Sequence, residues 1–162
     1  MTSIQPLKPG DWQRWRDIRL ASLKTSPDAF GSTLAEALKR SQQSWIEQLE
    51  QLPTYLAVLD EQDVGVARGV PNSENLHEAF LISMWVAPEA RGKGVGGMLI
   101  AAVKDWAKEQ GFLRLVLDVA DENAAAIALY LSNGFSATGE TGSLPEPRQH
   151  IREHRMVLSL IA

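Results

Sequence analysis

The stretch Arg91-Gly92-Lys93-Gly94-Val95-Gly96-Gly97 decides how this 162-residue chain is read. An apolar run, Phe80-Leu81-Ile82-Ser83-Met84-Trp85-Val86, precedes it, and a helix-patterned run beginning Met98-Leu99-Ile100 comes after it. Four glycines fall within residues 92–97, where a helix is about to start. Glycine costs about 1 kcal/mol against alanine inside a helix, so something is expected to lie close to this backbone. Glycine lets a ligand approach the main chain, free N–H groups at a helix start point outward, and the helix dipole favours an anion. Arg91 and Lys93 add two cations. The stretch reads as a pyrophosphate cradle rather than a bare strand-to-helix turn.

A dinucleotide is the first ligand to consider. Gly92-x-Gly94-x-x-Gly97 matches the Rossmann fingerprint literally, and Asp118 lies 21 residues past Gly97 at the end of the next strand-like run. Three features oppose an NAD(P)-binding oxidoreductase. Ala87-Pro88-Glu89-Ala90-Arg91 separates the strand from the first glycine, where the fingerprint wants an immediate turn. Only 44 residues follow Asp118, too few for further parallel strand–helix units. The flanking cations suit a more highly phosphorylated ligand. A Walker loop is excluded because no Gly-Lys-Ser/Thr is present.

Outward from the loop, Val95, Leu99, Ala102, Val103 and Trp106 fall on one helical face over about 94–110, closed by Gly111. Residues 78–86 pattern as a strand buried on both faces, hence central. Residues 54–60 and 64–70 pattern as a hairpin joined by Glu61-Gln62-Asp63, and 112–119 as the strand after the glycine helix. N-terminal to these lie a short strand at 3–7 and a helix capped by Asp11. An ambiguous stretch around 29–40 and a helix capped by Ser41 come next. C-terminal to them lie a helix capped by Asp121, two strands near 135–140 and 151–160, and a loop at 139–147. The expected fold is α/β (α+β): one domain over 1–162, with a mixed, mostly antiparallel sheet of six or seven strands flanked by helices.

Composition narrows the function. Net charge is −4, which argues against a broad nucleic-acid surface. There is no cysteine, so no thiol nucleophile, disulfide or thiolate metal site. No apolar run spans a bilayer and the first twenty residues lack a signal-type core, so a cytoplasmic protein without membrane partners is expected. His150, His154 and Glu153 offer too few ligands for a metal, and a sheet-surface role is expected for them; no metal is expected anywhere.

The segment 86–103, Val-Ala-Pro-Glu-Ala-Arg-Gly-Lys-Gly-Val-Gly-Gly onward, resembles the acetyl-coenzyme-A-binding motif of the GCN5-related N-acetyltransferases (GNAT), Arg/Gln-x-x-Gly-x-Gly/Ala. Asn123, Ala126, Leu129, Tyr130, Gly134 and Phe135 resemble the family's second motif. Together the motifs cover about 80–135. The resemblance implies a sheet splayed between strands 80–86 and 112–118, with acetyl-CoA as cosubstrate in the gap. It implies coenzyme contacts from Met84, Trp85, Val86, Arg91, Gly92, Lys93, Gly94, Val95, Gly96, Gly97, Asn123 and Tyr130. It also implies direct transfer of acetyl to a primary amine in a ternary complex, with Tyr130 protonating the departing sulfur.

Read as residues alone, Tyr130 could also be a core aromatic and Asn123 a local helix cap. Glu36, Glu78, Asp118, His77 and His154 are candidate bases by chemical type. A small-molecule amine is the expected acceptor, walled by Phe30, Ser32 and Glu36, with Trp45 nearby and the 139–147 loop as a further wall; Glu36 would favour a cationic amine. A peptide or protein amine, or a non-catalytic acyl-CoA-binding role, remains an alternative. Family members are often dimers, which leaves a homodimer open.

Overall fold

The computed structural model describes residues 1–161. Seven strands and five α-helices run in the order β1 (Thr2–Pro6), α1 (Trp12–Thr25), α2 (Leu34–Leu38), α3 (Gln42–Gln51), β2 (Thr54–Leu59), β3 (Gln62–Pro71), β4 (Glu78–Val86), α4 (Val95–Glu109), β5 (Arg114–Ala120), α5 (Ala124–Ser132), β6 (Ser136–Ser143) and β7 (Arg152–Ser159). They form one sheet in the order β1-β2-β3-β4-β5-β7-β6. Every pairing is antiparallel except β4 with β5.

β4 is the middle strand, as its apolar sequence requires. Successive residues of its neighbour β3 show why both faces are covered. Arg68 places its guanidinium 4.8 Å from the Trp15 ring of α1. A Cβ on the next residue, Gly69, would sit 2.5 Å from Trp106 of α4. Adjacent strand residues point to opposite faces, so α1 and α4 lie on opposite sides of the sheet. Trp15, Leu56, Val66, Leu99, Val103 and Leu115 form the heart of the resulting core, each at most 1% exposed.

The register of β4 sets up the site. Trp85 opposes Val66 and Ile82 opposes Arg68, so Ala67 of β3 faces both Ser83 and Met84. This is a β-bulge, and Ser83 takes a φ of 56° to make it. Bulges bend their strand and re-aim the residues beyond them. On its other side β4 pairs with β5 only at Glu78–Arg114, Ala79–Leu115 and Phe80–Val116. Beyond Phe80 and Val116 the two strands part.

Several boundaries differ from the sequence reading. The β2–β3 hairpin turns on Asp60-Glu61 alone, both at positive φ (49° and 66°), rather than on three residues. This is the backbone twist that two-residue hairpins favour. Asn123, not Asp121, caps α5, accepting the Ala126 N–H at 3.2 Å. Asp121 instead bonds His154 Nδ1 at 2.8 Å. β6 continues to Ser143, so the final loop is 144–151 and contains His150, which therefore does not share a strand face with His154. No helix among the described residues is long and apolar enough to cross a membrane.

Candidate active site

The glycines at the start of α4 serve two different purposes. Gly92 and Gly94 hold φ values of 78° and 80°. A Cβ on either would meet nothing within 4 Å, so the space before them is open. Gly96 faces the protein instead, where a Cβ would lie 2.7 Å from Leu129 Cδ2 of α5. The first pair shapes an open turn; Gly96 lets α5 press against α4. No side chain caps α4, and the first-turn N–H groups of Val95, Gly96 and Gly97 have no acceptor within the helix. Lys93 is exposed beside them. Arg91 folds back, its Nε donating to the Val86 carbonyl at 3.0 Å.

The gap between β4 and β5 begins where their pairing stops. The Ala87 N–H bonds the Val64 carbonyl at 2.7 Å. Antiparallel alternation then turns the backbone groups of Trp85 toward β3 and those of Val86 toward the gap. Trp85 therefore departs from the expected coenzyme contacts: its main chain belongs to the β3 ladder and its ring is buried at 8% exposure. On the far side of the gap, Leu117–Ala120 pair with β7 alone.

The gap opens into a cavity of about 630 Å³ between the sheet and α1, α2 and α3. Phe30, Ser32, Glu36, Met84 and Tyr130 line it, and Trp45, 2% exposed in the core, reaches it as well. The 139–147 segment does not. Its neighbour Arg148 acts at a distance from the cavity, donating to the carbonyls of Pro27 (2.7 Å) and Gly31 (2.9 Å) and so fixing the segment that carries Phe30. Asn123 spends its side-chain oxygen on the α5 cap.

Tyr130 is 7% exposed, packed edge-on against Phe135 with ring centroids 5.7 Å apart. Burial pushes its phenol pKa well up. The candidate bases separate. Glu36 and Asp118 line the cavity, but Glu36 accepts the Thr33 hydroxyl at 2.8 Å and Asp118 takes Arg155 at 2.9 and 3.2 Å. Asp118 is thus a sheet ion-pair residue rather than a ribose ligand. Glu78 binds Arg114 at 2.9 Å and, with His77, lies at the opposite end of β4 from the gap.

Two groups of cavity residues are not singled out for the site by the sequence reading, which places Glu153 on the sheet surface and leaves Arg19 and Arg68 unremarked. Glu153 of β7 reaches the wall, and burial, followed by the nearby Asp118, holds its carboxyl above the ordinary range. Arg19 and Arg68 line the opposite wall. Burial lowers each guanidinium to about 10, and in each case a neighbouring arginine adds to the effect. On an amphipathic helix and a strand these residues read as solvent-facing charges; only the tertiary fold brings them to one cavity. Among the described residues no group of three His, Cys, Asp or Glu side chains is placed to hold a metal.

A family model described as the acetyltransferase (GNAT) family matches residues 12–135. The chain belongs to the GNAT family. It is 30% identical over 142 residues to a mycothiol acetyltransferase of Kocuria rhizophila, covering 82% of this chain and 45% of that protein. It is 32% identical over 107 residues to a streptothricin acetyltransferase of Streptomyces lavendulae, covering 66% of this chain and 57% of that protein. The GNAT chain thus spans about half the length of these curated relatives. Among solved structures, a Salmonella typhimurium protein with its cofactor acetyl-CoA matches with a TM-score of 0.82 at 19% identity, covering 100% of this chain and 95% of that one. A ribosomal-protein-alanine N-acetyltransferase of Brucella melitensis matches with a TM-score of 0.77 at 25% identity, covering 97% and 99%. The splayed, mostly antiparallel sheet is the fold of these neighbours.

Proposed function

We propose that the chain transfers the acetyl group of acetyl-CoA to the primary amine of a small-molecule acceptor. The parting of β4 and β5 beyond Phe80 and Val116 carries this reading. It leaves strand-edge backbone groups that want partners, beside an uncapped helix start and a cavity containing Tyr130. The residues suit the coenzyme: Gly92 and Gly94 open space for phosphates before the α4 N–H groups, with Lys93 alongside. The Val86 N–H is free to bond an extended arm in the gap, as an added strand does.

Bound there, acetyl-CoA supplies an activated thioester. Glu153 takes a proton from the acceptor ammonium, which its raised pKa favours over an ordinary carboxylate. The freed amine nitrogen bonds the acetyl carbon; as the carbon–sulfur bond breaks, Tyr130 gives its phenolic proton to sulfur, and the proton the nitrogen sheds on becoming an amide returns through solvent to the phenolate. The anchoring of the Phe30 segment by Arg148 supports a small acceptor over a long peptide.

Calorimetric titration with acetyl-CoA, with NADH as control, tests the reading. Binding of acetyl-CoA but not NADH is expected, weakened in Gly94→Asp and in the exposed Lys93→Glu. Turnover on an amine panel is expected from the wild type. Binding without turnover on any amine would leave a coenzyme-binding protein; binding of NADH alone would restore the dinucleotide reading.

A further inference from the structure

The acceptor cavity contains cations without counter-ions. The Arg19 guanidinium is largely buried and stacked 4.7 Å from the Phe30 ring. Its Nη1 is buried with no hydrogen-bond partner, and the group forms no salt bridge among the described residues. Arg68, 6% exposed, bonds only neutral groups: Nε donates to Thr54 Oγ1 at 2.8 Å and Nη2 to the Gln48 carbonyl at 2.6 Å. Its face lies over Trp15, which stands edge-on to Trp45 and donates its indole N–H to Gln48. Gln48 thus clamps Arg68 and Trp15 together. Arg40 adds a third positive side chain at the cavity, tied to Ser44 at 3.2 Å.

The acids at this cavity do not answer these charges. Glu36 is exposed and bonded to Thr33. Asp118 belongs to Arg155. Glu153 stands on β7 and forms no salt bridge with either arginine among the described residues. Buried charges are ordinarily paired, because an unpaired one loses its hydration without return. Stacking on Phe30 and Trp15 offsets part of that loss, but it leaves the in-plane N–H groups of Arg19 without an acceptor. Two neighbouring cations in one wall repel each other as well, unless an anion joins them.

From this geometry we infer that the acceptor is an amino acid-like molecule whose carboxylate is received by Arg19, with Arg68 held rigidly behind it. The inference rests on the acetyl-transfer reading and deepens it: the amine end lies toward Glu153 and Tyr130, the carboxylate end toward α1. A planar fork of N–H donors matches a carboxylate with two parallel bonds. The aromatic walls, Phe30, Trp15 and Trp45, then meet the acceptor's side chain. This reverses the expectation drawn from Glu36, because the cavity selects a negative group on the acceptor rather than a second positive one.

The test uses free amino acids and their carboxamides as matched pairs, with two readouts. One is release of coenzyme A thiol in the presence of acetyl-CoA. The other is quenching of tryptophan fluorescence, since Trp15 and Trp45 line the cavity. At least one acid should be preferred over its amide by about tenfold or more, the range of a charge-assisted bidentate contact. Arg19→Gln should abolish the preference with acetyl-CoA affinity unchanged, and Arg19→Lys should keep part of it. Equal handling of acids and amides, better handling of amides or polyamines, or no response to any acid overturns the inference, as does a preference that survives in a folded Arg19→Gln. Failure of the wild type to bind acetyl-CoA counts against the transfer reading instead, and quenching by acids then still decides whether the carboxylate seat exists.

Discussion

The two halves of the β4–β5 pair share strands but not purpose. At Glu78–Phe80 and Arg114–Val116 the strands are closed on each other, with Arg114 Nε 2.9 Å from Glu78 Oε2 across the seam. Directly beyond, from Leu81 and Leu117 onward, they are open. The closed half anchors both strands in the core; the open half leaves main-chain groups unanswered. A sheet normally satisfies its own backbone. One that stops doing so in its centre, where both faces are covered by helices, marks a place for a ligand. The contrast between the halves shows that the site is a local failure of pairing inside the sheet rather than an appended loop.

Substitutions in the two halves should therefore separate turnover from stability. At the cavity beside the open half, Tyr130→Phe on α5 should lower kcat by about 10²–10⁴-fold, the ordinary worth of a positioned general acid, with acetyl-CoA affinity nearly unchanged in calorimetry. In the closed half, fully buried Leu115→Ala should lower unfolding free energy by about 2–5 kcal/mol in denaturant titrations, while the remaining folded protein keeps its coenzyme affinity. Removing the seam's partly exposed ion pair with Glu78→Gln should cost only about 0.2–1 kcal/mol, and less at high salt, with no change in kcat. If Glu78→Gln altered turnover as much as Tyr130→Phe, the division between the halves would be wrong.

Glu153 offers a pH test at the border of the open half. Its folded pKa is raised, so as a base it should give kcat/KM an acidic limb that falls as pH drops through a value above the usual carboxylate range. Glu153→Gln should remove that limb. Linkage has the opposite sign for stability. A carboxyl with a raised folded pKa binds its proton more tightly when folded, so stability is greatest below the unfolded value and declines as pH rises through the folded one. Glu153→Gln should accordingly leave the protein no less stable at neutral pH while impairing catalysis. A purely structural Glu153 would show neither the limb nor this split.

The sequence exposed the local features of this architecture. β4 runs over Glu78–Val86 as its apolar pattern indicates, and α4 falls within a residue of the span set by its periodicity and Gly111. The Ser41 cap also stands, accepting the Ser44 N–H at 3.1 Å. Where sequence misled, the deciding contact was remote or the residue types competed. Asp121 and Asn123 are both good caps, and only the cross-strand draw of His154 on Asp121 decides between them. Gly96 reads like its neighbours Gly92 and Gly94 in the motif, yet it answers to Leu129, 33 positions later. Arg19 and Arg68 are 49 residues apart, and nothing in either segment marks them as buried. Helix periodicity even places Arg19 one turn from Arg16, which bonds Asp17 instead.

Backbone hydrogen exchange with and without acetyl-CoA tests the central claim most directly, because it reads the unpaired main chain itself. If the open half holds the coenzyme, acetyl-CoA should slow exchange at the Val86 amide, which faces the gap, and across residues 92–97. The amides of Leu115 and Val116, already inside the closed half, should not change. Equal slowing across both halves, or protection confined to residues far from the gap, would contradict the claim that the open half of β4 and β5 holds the coenzyme.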